Sequence, residues 1–143
     1  MRGSALLDTS AWHRLTHPDL PDGRRAEILD RAERGKLAVC LPVLLEAGYS
    51  ARDARTHEEV LDRLLDLPWY DLGPRAQQAA LEAQRELARA GHHRLAPIDL
   101  MIAAVADEHR CAVLHYDADY DLLTRHTSLR FESEWLTERG TLG

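Results

Sequence analysis

A chain of 143 residues, 45% of them hydrophobic, is long enough to form one domain with a buried core, spanning residues 1–143. No apolar run reaches the roughly 20 residues that a membrane span needs, and the opening MRGSALLDTS lacks the apolar segment of a signal peptide. The net charge of −6 excludes a generic basic nucleic-acid coat, but it leaves room for an enzyme that gathers carboxylates around a cation.

Ala5 to Leu7 reads as a short buried strand ending at Asp8, with Thr9 or Ser10 placed to cap a short helix carrying Trp12 and Leu15. Taken alone, Asp8 is read as the helix cap itself. Thr16 to Gly23 is a loop punctuated by Pro and Gly. Arg24 to Arg34 reads as an amphipathic helix, with Ala26, Leu29 and Ala32 inward. Arg24, Arg25, Arg31 and Arg34 are expected on a solvated face, in preference to a phosphate-binding one.

After Gly35, Leu37 to Leu41 gives a second buried strand, and Pro42 opens a helix with Val43, Leu44 and Ala47 on its apolar side. Glu46 falls on or beside that side, so it is paired, snorkelling or functional, with Arg52 or Arg55 as available partners. Helix continues over Glu58 to Leu65. Leu67 to Leu72 suits a third strand at a sheet edge, because Pro68 has no N–H to donate. Pro74 to Arg89 is a long helix stopped by Gly91, and His92 and His93 are expected to be solvated in the following loop.

Pro97 opens a helix in which Leu100 to Ala106 is apolar on every side, so it should be covered all round; Asp99 lies in its first turn. Cys111 to His115 is a fourth short strand, delivering Asp117, Asp119 and Asp121 at its carboxyl end. A short helix follows. Leu129 to Phe131 is expected as a last strand, with Trp135 and Leu136 packing the tail. Cys40 and Cys111 show no metal-like spacing and read as buried, reduced thiols of a cytoplasmic protein.

Alternating strands and helices favour a parallel α/β sandwich. In such sheets, sites form at the carboxyl ends of strands. Asp8, Glu46 and Asp117 fall at or just after such ends, and Asp99 opens the buried helix. Carboxylates this close raise one another's pKa unless a cation joins them. An all-oxygen donor set selects Mg²⁺ or Mn²⁺ over zinc. The chemistry this set suits is in-line hydrolysis of a phosphodiester by a metal-bound water.

The segments LLDTSAW, LPVLLEAGYSAR, PIDLMIAAVA and VLHYDADYD, with Trp135 and Arg139-Gly140 in the tail, make the chain resemble the PIN-domain ribonucleases, and among them the VapC toxins of toxin–antitoxin pairs. The resemblance implies a PIN-like three-layer α/β/α sandwich with a central, mostly parallel sheet. It also implies that Asp8, Glu46, Asp99 and Asp117 are the catalytic, metal-binding acids, with Asp119 a further ligand and Ser10 the small hydroxyl residue beside the first acid. Mg²⁺- or Mn²⁺-dependent endoribonuclease activity, dimerisation and inhibition by a VapB-type antitoxin follow as expectations, with transfer or ribosomal RNA as substrate. Tyr120 stands where many members have Phe, a change expected to preserve packing. Asp121 is expected only to cap or solvate its turn.

Other readings are a PIN-fold module that binds RNA or a partner without cutting, and a DNA nuclease of related fold. A haloacid-dehalogenase-type phosphatase would need an acid where Ser10 stands. A calcium loop at DADYD would need Gly where Leu122 stands.

Overall fold

A computed structural model describes residues 3–92 and 94–143. In chain order the elements are β1 (Ala5–Leu7), α1 (Thr9–Trp12), α2 (Asp22–Glu33), β2 (Leu37–Ala38), α3 (Leu41–Tyr49), α4 (Ala54–Leu65), α5 (Pro74–Arg89), α6 (Pro97–His109), β3 (Ala112–His115), α7 (Asp119–His126) and β4 (Glu132–Trp135). The four strands form one sheet in the order β2-β1-β3-β4, and every pairing is parallel. The expected α/β/α sandwich is therefore what the chain adopts. The first crossover runs from β1 to β2 on one side, and the chain then returns to place β3 on the other side of β1. This reversal lies between β1 and β3, and in open α/β sheets sites form at the carboxyl ends of the strands at such a point.

Burial explains why the middle strands are so short and apolar. Every residue of β1 and β3 is buried, including His115, because helices cover both faces of the sheet. Helix α6 packs against α3, α5, α7, β1 and β3 and buries Asp99, Leu100 and all of Ile102 to Ala106. A fully apolar helix needs cover of this kind.

Strand β4 lies three residues beyond the expected Leu129 to Phe131 and is not apolar. Its alternation sends Ser133 and Trp135 toward α7 on one face, and Glu134 toward α2 on the other. Glu134, although buried, is gripped by Arg31 through two hydrogen bonds of 2.7 and 3.2 Å and by Arg24 at 2.8 Å.

That grip corrects the reading of α2. Its inward stripe is Arg24, Ile28 and Arg31, spaced four and three residues apart, whereas Leu29 is 55% exposed. Arg24 also donates to the Leu136 carbonyl at 2.7 Å, and Arg25 to those of Leu15 and His17, each at 2.8 Å. These arginines tie the fold together instead of forming a solvated face.

Three smaller differences follow from local chemistry. Leu67 to Leu72 makes one parallel bridge, Val39 to Trp69, in which the Pro68 carbonyl accepts from Val39 and Tyr70 donates back. It lies at the sheet edge as expected, but not as a regular strand. Helix α4 begins at Ala54 because the Asp53 side chain accepts from the Thr56 N–H at 2.8 Å, a side-chain cap. His92 is half-buried and stacks on His126 at 4.6 Å; His93 lies outside the described residues.

Candidate active site

The acids gather beyond the carboxyl ends of β1 and β3. Asp8 continues the β1 ladder, its N–H donating to the Leu114 carbonyl at 2.9 Å, and then turns the chain into α1 as its cap. Its Oδ2 accepts from both the N–H and the hydroxyl of Ser10, while the Tyr116 N–H donates to the Ser10 Oγ at 2.8 Å. Ser10 therefore links the ends of β1 and β3. Asp8 is 2% exposed and Asp99 6% exposed.

Asp99 enters from above on the first turn of α6, where the helix amino terminus favours negative charge. One oxygen from each of Asp99, Asp117 and Asp119 lies within 4.8 Å of the other two. Burial, together with Asp8, Asp117, Glu46 and Asp119, pushes the Asp99 carboxyl up to about 8. Asp119 is also raised, by burial and by Asp117. Glu46 is half-buried and accepts a hydrogen bond from the Thr9 hydroxyl, which faces it across the junction of α1 and α3. Among the described residues, no ion pair joins Glu46 to Arg52 or Arg55; Arg55 pairs with Glu59 instead.

The acids are thus brought together in two tiers. Asp99, Asp117 and Asp119 share one point, while Asp8 and Glu46 flank it on the β1 side. Three side chains hold the geometry that sequence reading did not assign. Thr9 orients Glu46. His115 accepts from the Asp117 N–H at 3.1 Å and donates through Nε2 to Ser133 at 2.7 Å. Tyr120 donates to Asp8. Burial depresses His115 to about 4, so it is neutral and its Nδ1 is free to accept. Burial and the acids Asp8 and Asp99 raise the Tyr120 phenol, which therefore stays a donor. Asp121 does more than finish a turn: its two oxygens accept from the Ser133 hydroxyl at 2.6 Å and the Trp135 indole at 3.0 Å.

The donor set suits a hard divalent cation. It consists of oxygens, it is concentrated enough to hold Asp99 partly protonated near neutral pH, and a cation would relieve that crowding. A separate cavity of about 800 Å³, at the amino ends of the strands between Arg75, Arg110 and Arg130, contains none of these acids.

The PIN domain family model matches residues 5–125. Ribonuclease VapC18 of Mycobacterium tuberculosis is 37% identical over 139 residues, covering 95% of this chain and 97% of the relative. Ribonuclease VapC51 of the same organism is 38% identical over 138 residues, covering 96% of each. Among solved structures, DNA-bound VapBC from Salmonella typhimurium superposes with a TM-score of 0.72 at 19% identity, covering 94% of this chain and 99% of the other. VapBC2 of Rickettsia felis gives 0.71 at 18% identity, with 92% and 98% covered. The two superpositions agree on the fold, and the sequence relatives carry the closer kinship. The chain belongs to the PIN-domain family and, within it, to the VapC ribonucleases.

Proposed function

We propose that this chain is a metal-dependent endoribonuclease and the toxin of a type II toxin–antitoxin pair, acting in the cytoplasm as a single PIN domain. The observation that carries the reading is the meeting of Asp99, Asp117 and Asp119 oxygens at the switch point of the sheet, with Asp8 and Glu46 beside them. The sequence relatives are named as ribonucleases.

Asp99, Asp117 and Asp119 would hold Mg²⁺ or Mn²⁺, with Asp8 as a further ligand, directly or through water. The bound cation would supply a water of lowered pKa and neutralise charge on the scissile phosphate. Glu46, held by Thr9, orients the attacking water and accepts its proton, or joins the ligand set. Ser10 fixes one Asp8 oxygen, Oδ2, and Tyr120 donates to the other, Oδ1. Arg14 lies next to Ser10, its guanidinium 4.8 Å from the Tyr116 ring centroid and donating to the Ser10 carbonyl. It offers a positive group to the RNA backbone beside an otherwise acidic site.

The partner in this reading is a VapB-type antitoxin. Helix α3, which carries Glu46, exposes Leu41, Leu45 and Tyr49 at four-residue spacing, with Tyr49 83% exposed. An apolar antitoxin segment docked on this stripe could place an arginine among the acids and mask the cation site. The active unit in this reading is a homodimer.

Matched RNA and DNA oligonucleotides, incubated with the purified protein and Mn²⁺, test the proposal. RNA cleavage that stops on addition of the antitoxin supports it. Cleavage of DNA in preference would make the chain a DNA nuclease, and binding of RNA without cleavage would make it a non-cutting module.

A further inference from the structure

We infer that the Tyr120 hydroxyl is a positioning group of the acid site, fixing the Asp8 and Asp99 carboxylates relative to each other so that they receive the cation. The inference rests on the metal-site reading above.

Tyr120 lies on the first turn of α7, between Asp119 and Asp121, and is fully buried. Its ring is locked between His115, at 4.7 Å between centroids, and Phe131, at 6.2 Å and nearly perpendicular. A phenylalanine ring would fill the same space, so packing alone does not call for the hydroxyl. A buried hydroxyl is costly unless it finds a partner. Here the phenol oxygen lies 2.7 Å from Asp8 Oδ1 and 3.3 Å from Asp99 Oδ1. Its one proton serves one carboxylate at a time, with Asp8 the nearer acceptor and Asp99 the second, and the oxygen sits between the two acids.

Two consequences follow from the chemistry of the donor. Asp8 is now held at both oxygens, by Ser10 on Oδ2 and by Tyr120 on Oδ1, so its plane cannot turn. A neutral donor placed between two carboxylates also lowers their repulsion without a competing positive charge. Tyr120 thereby couples β1, α6 and α7 at the point where a cation would bind. Groups that orient ligands in this way are commonly worth 10- to 100-fold in metal affinity.

Tyr120→Phe removes one oxygen and keeps the ring. Calorimetric titration with Mn²⁺ should show its dissociation constant rising about 10- to 100-fold. Saturating Mn²⁺ should restore most RNA cleavage, whereas the melting temperature in EDTA should stay close to wild type. In the wild-type protein, the slowly exchanging Tyr120 phenol proton should shift in NMR spectra on addition of Mg²⁺, which tests the contact without any substitution. Equal Mn²⁺ affinity in the two proteins, with an unmoved phenol proton, would reduce Tyr120 to a packing residue and leave the metal site standing. Absence of Mn²⁺ binding by the wild type would overturn both the inference and the metal-site reading beneath it.

Discussion

Asp117 is held in place by His115 across the turn that ends β3: the Asp117 N–H donates to His115 Nδ1 at 3.1 Å. Because Nδ1 accepts, Nε2 carries the proton and donates to Ser133, whose own proton passes to Asp121. The chain of contacts runs from the acid site through the sheet to the first turn of α7. Ser133→Ala breaks it in the middle and leaves the His115 N–H and one Asp121 oxygen without that partner. The expected loss is about 1–3 kcal/mol of stability, read by urea unfolding, with reduced cleavage because the Asp117 turn is less fixed. Unchanged stability and activity would show that the relay is dispensable.

Glu134 and Arg31 form the second buried connection, joining β4 to α2 with side chains 2% and 5% exposed. Removing Glu134 strands the Arg31 charge away from water and takes a carboxylate partner from Arg24 as well. Glu134→Ala should destabilise the fold by about 3–5 kcal/mol, whereas the pair Arg31→Met with Glu134→Leu should recover much of that loss. A double-mutant cycle measured by chemical denaturation decides the matter, and additive effects would mean the two residues do not interact.

Metal binding should be visible without any substrate. At a hundredfold excess of Mn²⁺ over its dissociation constant, ligand linkage adds about 2.7 kcal/mol, roughly 5–10 °C in melting temperature for a chain of this size. Asp99→Asn should lose that increment. In EDTA the variant should melt at or above wild type, because a crowded carboxyl has been replaced by a neutral amide. A full Mn²⁺ shift in Asp99→Asn would remove Asp99 from the site.

Both thiols are buried, and burial raises Cys40 to about 12 and Cys111 to about 11. The folded protein should therefore resist a thiol reagent at pH 8 and expose two reactive thiols only on unfolding. The stability linked to these groups is fully present below about pH 9, where the unfolded thiols are still neutral. It is lost as pH rises toward the folded values, because the unfolded chain ionises first. Rapid labelling of either cysteine in native protein would contradict their placement.

The acids were legible because each follows a short apolar run or a proline, features set by neighbours within a few residues. Asp8 after Ala5–Leu7, Asp99 after Pro97 and Asp117 after β3 all fall where strand and helix signals place them. The inward arginines of α2 were not legible, because Arg31 is buried for the sake of Glu134, 103 residues away. Strand β4 was missed for the same reason: ESEW looks solvent-facing until its partners on both faces are known. Tyr120 was visible as a departure from Phe, but its hydroxyl acquires meaning only when β1 and α6 bring two carboxylates to it.

The most direct test of the account is cleavage of total RNA by the purified protein, with Mg²⁺ or Mn²⁺ and with EDTA, beside a folded Asp99→Asn variant. Discrete fragments that require the metal and vanish in the variant are expected. Fragments that persist in EDTA, or wild-type cleavage by Asp99→Asn, would contradict it.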